Sequence, residues 1–205
     1  MNILVITPDG DIGRPVLAEL LSPEFTVRVI TDDSAGLPEE WHDQVEMIAS
    51  PTDNAGTLLR ALGGVGSVLW CIPAETDQEI EPFAHALSRA MREAGTPRLV
   101  TVSTADCGFI HSAGILSGQP TLEGILNKSG AGIRHLRCGL LMEKSPSQGQ
   151  SILEEGTFSL PIPGDILVPL VMADDVVDVA LRWLVRRDWE GIEKLAVSGS
   201  RPVLQ

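Results

Sequence analysis

Residues 3–13 of the chain are Ile3-Leu4-Val5-Ile6-Thr7-Pro8-Asp9-Gly10-Asp11-Ile12-Gly13. The first four side chains are all apolar, as is typical of a parallel strand buried on both faces of a sheet. Two glycines follow, and an amphipathic helical pattern runs from Gly10 to Leu21. A doubly wound sheet binds the pyrophosphate of a dinucleotide at such a junction, because glycines let the backbone approach it at the helix start. The segment therefore predicts a first βα unit with a dinucleotide-binding loop.

The rest of the chain alternates short β-branched runs with longer helical patterns, which predicts βαβ units and a parallel sheet. Strands are predicted over 25–31, 45–49, 67–72, 98–103, 133–138 and 195–197, and helices over 75–94, 121–128 and 174–186, with one more between Asp53 and Gly63. Beyond Gly139 the pattern otherwise predicts loops. The predicted fold is α/β, a Rossmann-like doubly wound parallel sheet in three α/β/α layers with a minimal C-terminal extension. We expect one domain over 1–205, with its core in 1–140 and a small part in 141–205, which is too short for a second domain.

The composition narrows the classes of partner. The formal net charge of −13 argues against nucleic acid and against an anionic membrane surface, since both are bound through Lys and Arg. No apolar run approaches the ~20 residues of a membrane span, and the first residues lack the basic segment of a signal peptide. The three cysteines have no metal-ligand spacing and fit a reducing cytoplasm. We therefore expect a cytoplasmic protein with a small-molecule substrate and no metal, and the sequence does not indicate its oligomeric state.

The glycine loop departs from an ideal phosphate loop in three ways. Thr7 stands where the first glycine would be, Pro8 lacks a backbone N–H donor, and Asp9 and Asp11 bring negative charge. A carboxylate ~5 Å from a phosphate costs roughly 3 kcal/mol at an effective dielectric of ~20, and far less if it points into water. We therefore expect weak cofactor binding. The alternative is a tight strand–helix turn without a ligand.

The residue after the second strand indicates which cofactor would bind. An acidic residue about 20 positions beyond the glycines accepts hydrogen bonds from the adenosine ribose and repels a 2′-phosphate. Asp32 lies at this position. It predicts that NAD is preferred over NADP. The alternative is that Asp32 and Asp33 only begin a solvated turn.

Several further segments have the order and spacing of a known family. They are Thr52-Asp53, residues 67–73, residues 98–103, residues 123–130 with Glu123 and Ser129-Gly130, and Leu136-Arg137-Cys138-Gly139-Leu140-Leu141-Met142-Glu143. With the glycine loop, they resemble the atypical short-chain dehydrogenases, specifically the NmrA-like and NAD(P)H-binding group that includes quinone and flavin reductases. The resemblance implies these cofactor-binding residues: Thr7, Asp9, Gly10, Asp11, Ile12, Gly13, Asp32 and Pro73.

The chain departs from that family in its proton relay. The tyrosine and lysine of the extended enzymes would fall at Ile115 and Gln119, and the chain contains no tyrosine. In length it is similar to the small flavin reductases rather than to relatives with a larger C-terminal lobe. The resemblance then implies hydride transfer from a nicotinamide cofactor to a quinone, flavin or similar conjugated acceptor, whose own electronics reduce the need for a protein acid.

Two residues are candidates for catalysis. Ser103 matches the family's active-site serine, and His111 lies in the following loop, where a histidine can deliver a proton near neutral pH. Both also fit ordinary roles, a strand-end serine and a surface histidine. Two other functions therefore stay open: a non-enzymatic dinucleotide sensor or scaffold, and a non-redox isomerase or cyclase. Whether the chain is an enzyme is left open by its sequence.

Overall fold

The structure is a computed structural model, and it describes residues 1–31, 36–49, 55–72, 80–104, 119–143, 153–156, 167–199 and 203–204. Its strands are β1 (Asn2–Ile6), β2 (Thr26–Thr31), β3 (Val45–Ala49), β4 (Ser67–Cys71), β5 (Arg98–Thr104), β6 (Ile133–Cys138), β7 (Leu140–Leu141), β8 (Leu167–Val168), β9 (Leu170–Val171), β10 (Ile192–Val197) and β11 (Val203–Leu204). Its helices are α1 (Gly13–Leu20), α2 (Ala55–Leu62), α3 (Ile80–Glu93), α4 (Gln119–Leu126) and α5 (Ala173–Val185).

Seven of these strands form one parallel sheet in the order β10-β6-β5-β4-β1-β2-β3. The chain builds the sheet outward from β1 in one direction and then returns to add β4 on its other side. The carboxyl ends of β1 and β4 therefore flank the point where the strand order reverses. Open α/β sheets hold their ligands in the crevice at this point. The predicted doubly wound sheet is confirmed.

The two faces of the sheet carry separate apolar layers. Ile3 and Val5 pack in the layer that includes α1 and α5, whereas Leu4 and Ile6 pack in the layer that includes α2, α3 and α4. All four side chains are at most 1% exposed. Because successive side chains of a strand point to opposite faces, burial on both sides requires the apolar run predicted for β1. The three-layer α/β/α arrangement is thus confirmed.

Some predicted boundaries differ from the structure. Helix α1 begins at Gly13 rather than Gly10, because residues 10–12 stay in the loop. Strand β10 begins at Ile192, before the predicted start at Leu195. Its first three side chains are exposed, so no apolar pattern marks them in the sequence, but their backbone pairs with β6. The region after Gly139, predicted as loops, contains the short pairs β7–β9 and β8–β11. The predicted start of α3 at Glu75 lies outside the described residues.

The C-terminal part is joined to the core by close backbone contacts. A Cβ at Gly139 would collide with the carbonyl oxygen of Pro169, to which the N–H of Leu140 donates a hydrogen bond of 2.8 Å. Glu143 Oε1 accepts a 2.7 Å bond from the N–H of Ala173, the first residue of α5. The glycine and the glutamate of the Leu136–Glu143 segment therefore have structural roles, close approach and helix capping.

A buried histidine connects the sheet to the segment between α4 and β6. His135 is fully buried, with Nδ1 2.8 Å from Thr101 Oγ1 and Nε2 2.9 Å from Asn127 Oδ1. Since an amide oxygen only accepts, Nε2 carries the proton and the Thr101 hydroxyl donates to Nδ1. Burial lowers the pKa of His135 from 6.5 to about 4, with Lys194 and Arg137 acting in the same direction and Glu123 against it. The imidazole is therefore neutral in the folded protein.

This pKa predicts a loss of stability in mild acid. The unfolded chain takes up a proton at His135 near pH 6.5 and the folded protein only near pH 4, so the stabilisation is full above pH 6.5 and is lost as the pH falls toward 4. We expect about 2 kcal/mol less free energy of unfolding from this group at pH 5 than at pH 7.5. Urea unfolding of wild type and His135→Gln measures it.

The matched control is His85→Gln, because His85 lies exposed on α3. It should keep the pH dependence of the wild type, whereas His135→Gln should be less stable at pH 7.5 and lose less stability on acidification. An equal loss in wild type and His135→Gln would contradict the assignment.

Candidate functional site

The turn that leaves β1 is built around Thr7. Its φ of +52° is in the left-handed region, which costs a non-glycine residue about 1–2 kcal/mol. Two hydrogen bonds hold it there: the N–H donates to Ile30 O at 3.1 Å, and Oγ1 donates to Cys71 O at 2.8 Å. Thr7 therefore joins the ends of β1, β2 and β4, and the backbone follows the path expected of a glycine at this position.

The two glycines of the loop serve different purposes. A Cβ at Gly13 would lie 2.8 Å from the Cα, C and O atoms of Pro8, so the start of α1 can pack against the loop only if residue 13 is glycine. A Cβ at Gly10 would meet nothing within 4 Å, and Gly10 does not have a left-handed φ. No contact within the described part of the chain thus requires glycine at residue 10. A ligand that lies against the backbone of residue 10 would require it.

The beginning of α1 lacks the usual side-chain cap. Its N-cap residue, Ile12, makes no side-chain hydrogen bond, and the first turn has no acidic residue. Helix N-termini carry unpaired N–H groups and a partial positive charge, and an anion satisfies both. Asp9 and Asp11 lie on either side of Gly10, and both are exposed to solvent.

Two of the cysteines lie within the described residues, Cys71 partly buried at the end of β4 and Cys138 buried at the end of β6. Burial raises the pKa of Cys71 to about 12, and the nearby Cys138 and Asp9 act in the same direction. Burial likewise raises the pKa of Cys138 to about 12. A thiol is a nucleophile only as its thiolate, so neither cysteine is a nucleophile near neutral pH. Both side chains pack in the apolar layer that includes α1 and α5.

Ser103 is the penultimate residue of β5, on the same edge of the sheet as the loop. It is 3% exposed, and its Oγ has no hydrogen-bond partner among the described residues. Leaving a buried hydroxyl unpaired costs about 1–3 kcal/mol. A ligand oxygen or N–H group placed against Ser103 would remove this cost.

The strand next to Ser103 carries an ion cluster. Arg137 on β6 is the register partner of Ser103, and it donates two hydrogen bonds of 2.9 and 2.7 Å to Glu123. Lys194 Nζ lies 3.0 Å from the same carboxylate. Burial alone would raise the pKa of Glu123, but the hydrogen bonds from Arg137 and Lys194 hold it below its usual value. The cluster therefore fixes α4 against β6 and β10.

The structure brings together most of the predicted site. The predicted loop residues lie together from the end of β1 to the first residue of α1: Thr7, Asp9, Gly10, Asp11, Ile12 and Gly13. Ser103 lies two strands away, since β4 separates β1 from β5. His111, Asp32 and Pro73 lie outside the described residues. Within the described ranges, no three His, Cys, Asp or Glu side chains are grouped as around a metal ion, and no helix is long and apolar enough to cross a membrane.

Substitutions of Thr7 test how the turn is held. Thr7→Gly removes the strain but also the hydroxyl, so we expect the free energy of unfolding to change by less than about 1 kcal/mol. Thr7→Val keeps the β-branched strain without the hydrogen bond and should lose about 1–2 kcal/mol. Thr7→Ser, the control, keeps the hydroxyl. Urea unfolding measures all three, and a valine variant as stable as wild type would contradict this role of the Cys71 carbonyl.

Comparison with known proteins identifies relatives of the whole fold. The sequence model of the NAD(P)H-binding family matches residues 9–157. The NAD(P)H azoreductase of Xenophilus azovorans is 28% identical over 186 residues, which are 90% of this chain and 63% of the relative. The chain therefore spans less than two-thirds of that protein's length.

Solved structures share the fold at low identity. A quinone oxidoreductase of Escherichia coli in complex with NADPH has a TM-score of 0.82 at 21% identity, over 98% of this chain and 71% of that one. Triphenylmethane reductase of Citrobacter sp. has a TM-score of 0.82 at 18% identity, over 100% of this chain and 71% of that one. The family match covers most of the chain, including the glycine loop from residue 9 onward. The predicted resemblance is thereby confirmed, and the chain belongs to the NAD(P)H-binding family.

Proposed function

We propose that the chain binds a nicotinamide dinucleotide across the carboxyl edge of the sheet and passes hydride from it to a quinone, flavin or other conjugated acceptor. The observation that carries the proposal is the contrast between the two glycines. Gly13 is required by the chain's own packing, whereas Gly10 has open space where a Cβ would be. A pyrophosphate over the start of α1 would use that space, and the N–H groups there would bind it.

The described residues fit such a cofactor at both of its ends. In the first turn of α1 the N–H groups of Arg14 and Val16 donate to Gly10 O and Ile12 O, and Pro15 has none, so the N–H of Gly13 is the donor of this turn that a phosphate would use. Farther along the same edge, the Ser103 hydroxyl has no partner among the described residues, and a nicotinamide or acceptor carbonyl would provide one. His111 stays a second candidate for catalysis on its sequence position alone.

The absence of tyrosine favours conjugated acceptors over simple ketones. When bound, the reduced nicotinamide supplies the hydride. Reduction of a ketone places charge on one oxygen that needs a positioned proton donor, whereas a quinone or flavin spreads the charge and can take its proton from water. The relatives are named an azoreductase, a quinone oxidoreductase and a triphenylmethane reductase, all of them reductases.

Cofactor preference belongs to the same proposal. NADPH and NAD complexes both occur among structures of this fold. Asp32 follows β2, where a carboxylate binds the ribose hydroxyls and repels a 2′-phosphate. We therefore propose NAD as the preferred cofactor, with Asp9 and Asp11 weakening its binding.

Gly10→Ala tests the position of the cofactor. The added methyl meets nothing in the chain, so the free energy of unfolding should be unchanged within about 1 kcal/mol, while the Kd for NAD rises about tenfold or more. Gly124→Ala, at an equally open glycine in α4, should leave the Kd unchanged. Calorimetric titration measures both variants. Unaltered NAD binding by Gly10→Ala would exclude this placement, and equal Kd values of the wild type for NAD and NADP would contradict the preference.

An acceptor panel tests the chemistry. With NADH, we expect kcat/KM for quinones or flavins to exceed that for simple ketones by at least about 100-fold, the typical contribution of a positioned acid. Ser103→Ala should lower kcat/KM for quinones about tenfold. Ser88→Ala should leave it unchanged, because Ser88 is a buried serine of α3 whose hydroxyl donates to Ile125 O in α4.

The results on this panel also separate the alternatives. Efficient ketone reduction that survives Ser103→Ala and His111→Ala would defeat the proposed mechanism. NAD binding without turnover of any acceptor would indicate a sensor or scaffold. Failure to bind either dinucleotide would favour non-redox chemistry on this fold.

A further inference from the structure

Two exposed methionines lie next to each other after the short strands β7 and β9. Met142 follows β7 and Met172 follows β9, and the two strands are paired in parallel along their whole length. Just beyond the methionines, the bond from the N–H of Ala173 to Glu143 Oε1 keeps the two segments together. The methionines are 47% and 49% exposed. Single exposed apolar side chains are common on proteins, but adjacent ones form a continuous apolar area, here called the methionine patch.

The methionine patch lies beyond the strand end next to Ser103. Cys138, the last residue of β6, pairs with Thr104, the residue after Ser103. Met142 is four residues beyond Cys138, which limits the distance between their Cα atoms to about 14 Å. Strand β6 is on the side of β5 away from β1. The patch is therefore at the carboxyl edge, past Ser103 as seen from the glycine loop.

The chemistry of the patch suits a flat conjugated ring. The thioether of methionine is polarisable and its side chain is flexible, and its contact with an aromatic ring is favourable. Two aspartates border the patch, because Asp174 and Asp175 follow Met172 in the first turn of α5, and both are exposed. Their negative charge attracts a nearby cation and repels a nearby anion. The surface thus combines apolar contact for a ring with discrimination by charge.

We propose that the methionine patch binds the ring of the hydride acceptor, and that Asp174 and Asp175 restrict the acceptors to uncharged or cationic ones. The inference rests on the proposed function, because it needs a conjugated acceptor at this edge of the sheet. Reduction of a quinone there takes one hydride from the reduced nicotinamide and one proton from water, and it gives the hydroquinone and the oxidised nicotinamide. The patch contributes to binding of the acceptor and not to the transfer itself.

Polar substitution of either methionine tests the apolar contact, with NADH and 1,4-naphthoquinone as substrates. We expect Met142→Gln and Met172→Gln each to raise KM for the quinone about three- to tenfold, with kcat within about twofold and the Kd for NAD unchanged. Met172→Leu keeps an apolar side chain and should stay within about threefold of wild type. Leu59→Gln is the matched control, because Leu59 is an exposed apolar residue of α2, and its KM should equal that of wild type.

A second pair of substrates tests the charge: 1,4-naphthoquinone and 1,4-naphthoquinone-2-sulfonate. Each variant is described by the ratio of its two kcat/KM values, so the different intrinsic reactivity of the quinones cancels between variants. At low ionic strength, Asp174→Asn combined with Asp175→Asn should shift this ratio about three- to tenfold toward the sulfonate. Glu24→Gln combined with Asp43→Asn makes the same charge change at exposed residues before β2 and β3, at the other edge of the sheet, and should not shift it.

The outcomes separate the inference from the proposed function. Quinone reduction by wild type, with KM unchanged in both glutamine variants or the ratio unchanged in the aspartate variant, would overturn the inference and leave the proposed function intact. If wild type reduces flavins and neither quinone, riboflavin and flavin mononucleotide, which differ by one phosphate, replace the two quinones with the same expectations. A wild-type protein that reduces no conjugated acceptor would overturn both.

Discussion

The contact between Gly13 and the backbone of Pro8 determines how the first helix meets the sheet. Any side chain at residue 13 would bring a Cβ to 2.8 Å from the Pro8 backbone, so α1 would have to move away from the loop. The left-handed Thr7 and its bond to Cys71 O set the loop's path just before this contact. Together these constraints fix where α1 begins, at the carboxyl ends of β1 and β4. The proposed binding site depends on that direction.

Polar groups near the carboxyl edge of the sheet differ in whether the fold provides their partners. Beside α4, His135 bonds to Thr101 and Asn127, and Glu123 pairs with Arg137 and Lys194, so these groups hold α4 against the sheet. Ser103 lies in register with Arg137 on the same face, yet its hydroxyl has no partner among the described residues, and the loop before α1 has open space at Gly10. A ligand is expected where the fold leaves such groups unsatisfied.

Much of the architecture could be predicted because apolar patterns encode burial. The run Ile3–Ile6 predicts a strand covered on both faces, and its burial agrees. Patterns fail where backbone pairing occurs without burial, as at the exposed start of β10 near Ile192. The loop of the candidate site could be predicted because Gly10 and Gly13 mark it in the sequence. The roles of Glu143 and the Thr7 hydroxyl depend on contacts between segments distant in sequence, which no local pattern contains.

In the proposed complex, the start of α1 holds the pyrophosphate of a nicotinamide dinucleotide against Gly10. A crystal structure of the protein with NAD would measure the distance from the pyrophosphate to the Gly10 Cα. We expect van der Waals contact, at about 4 Å, with a phosphate oxygen facing the N–H of Gly13, the first residue of α1. NAD bound elsewhere on the chain, or a loop without phosphate in crystals soaked well above the measured Kd, would contradict it.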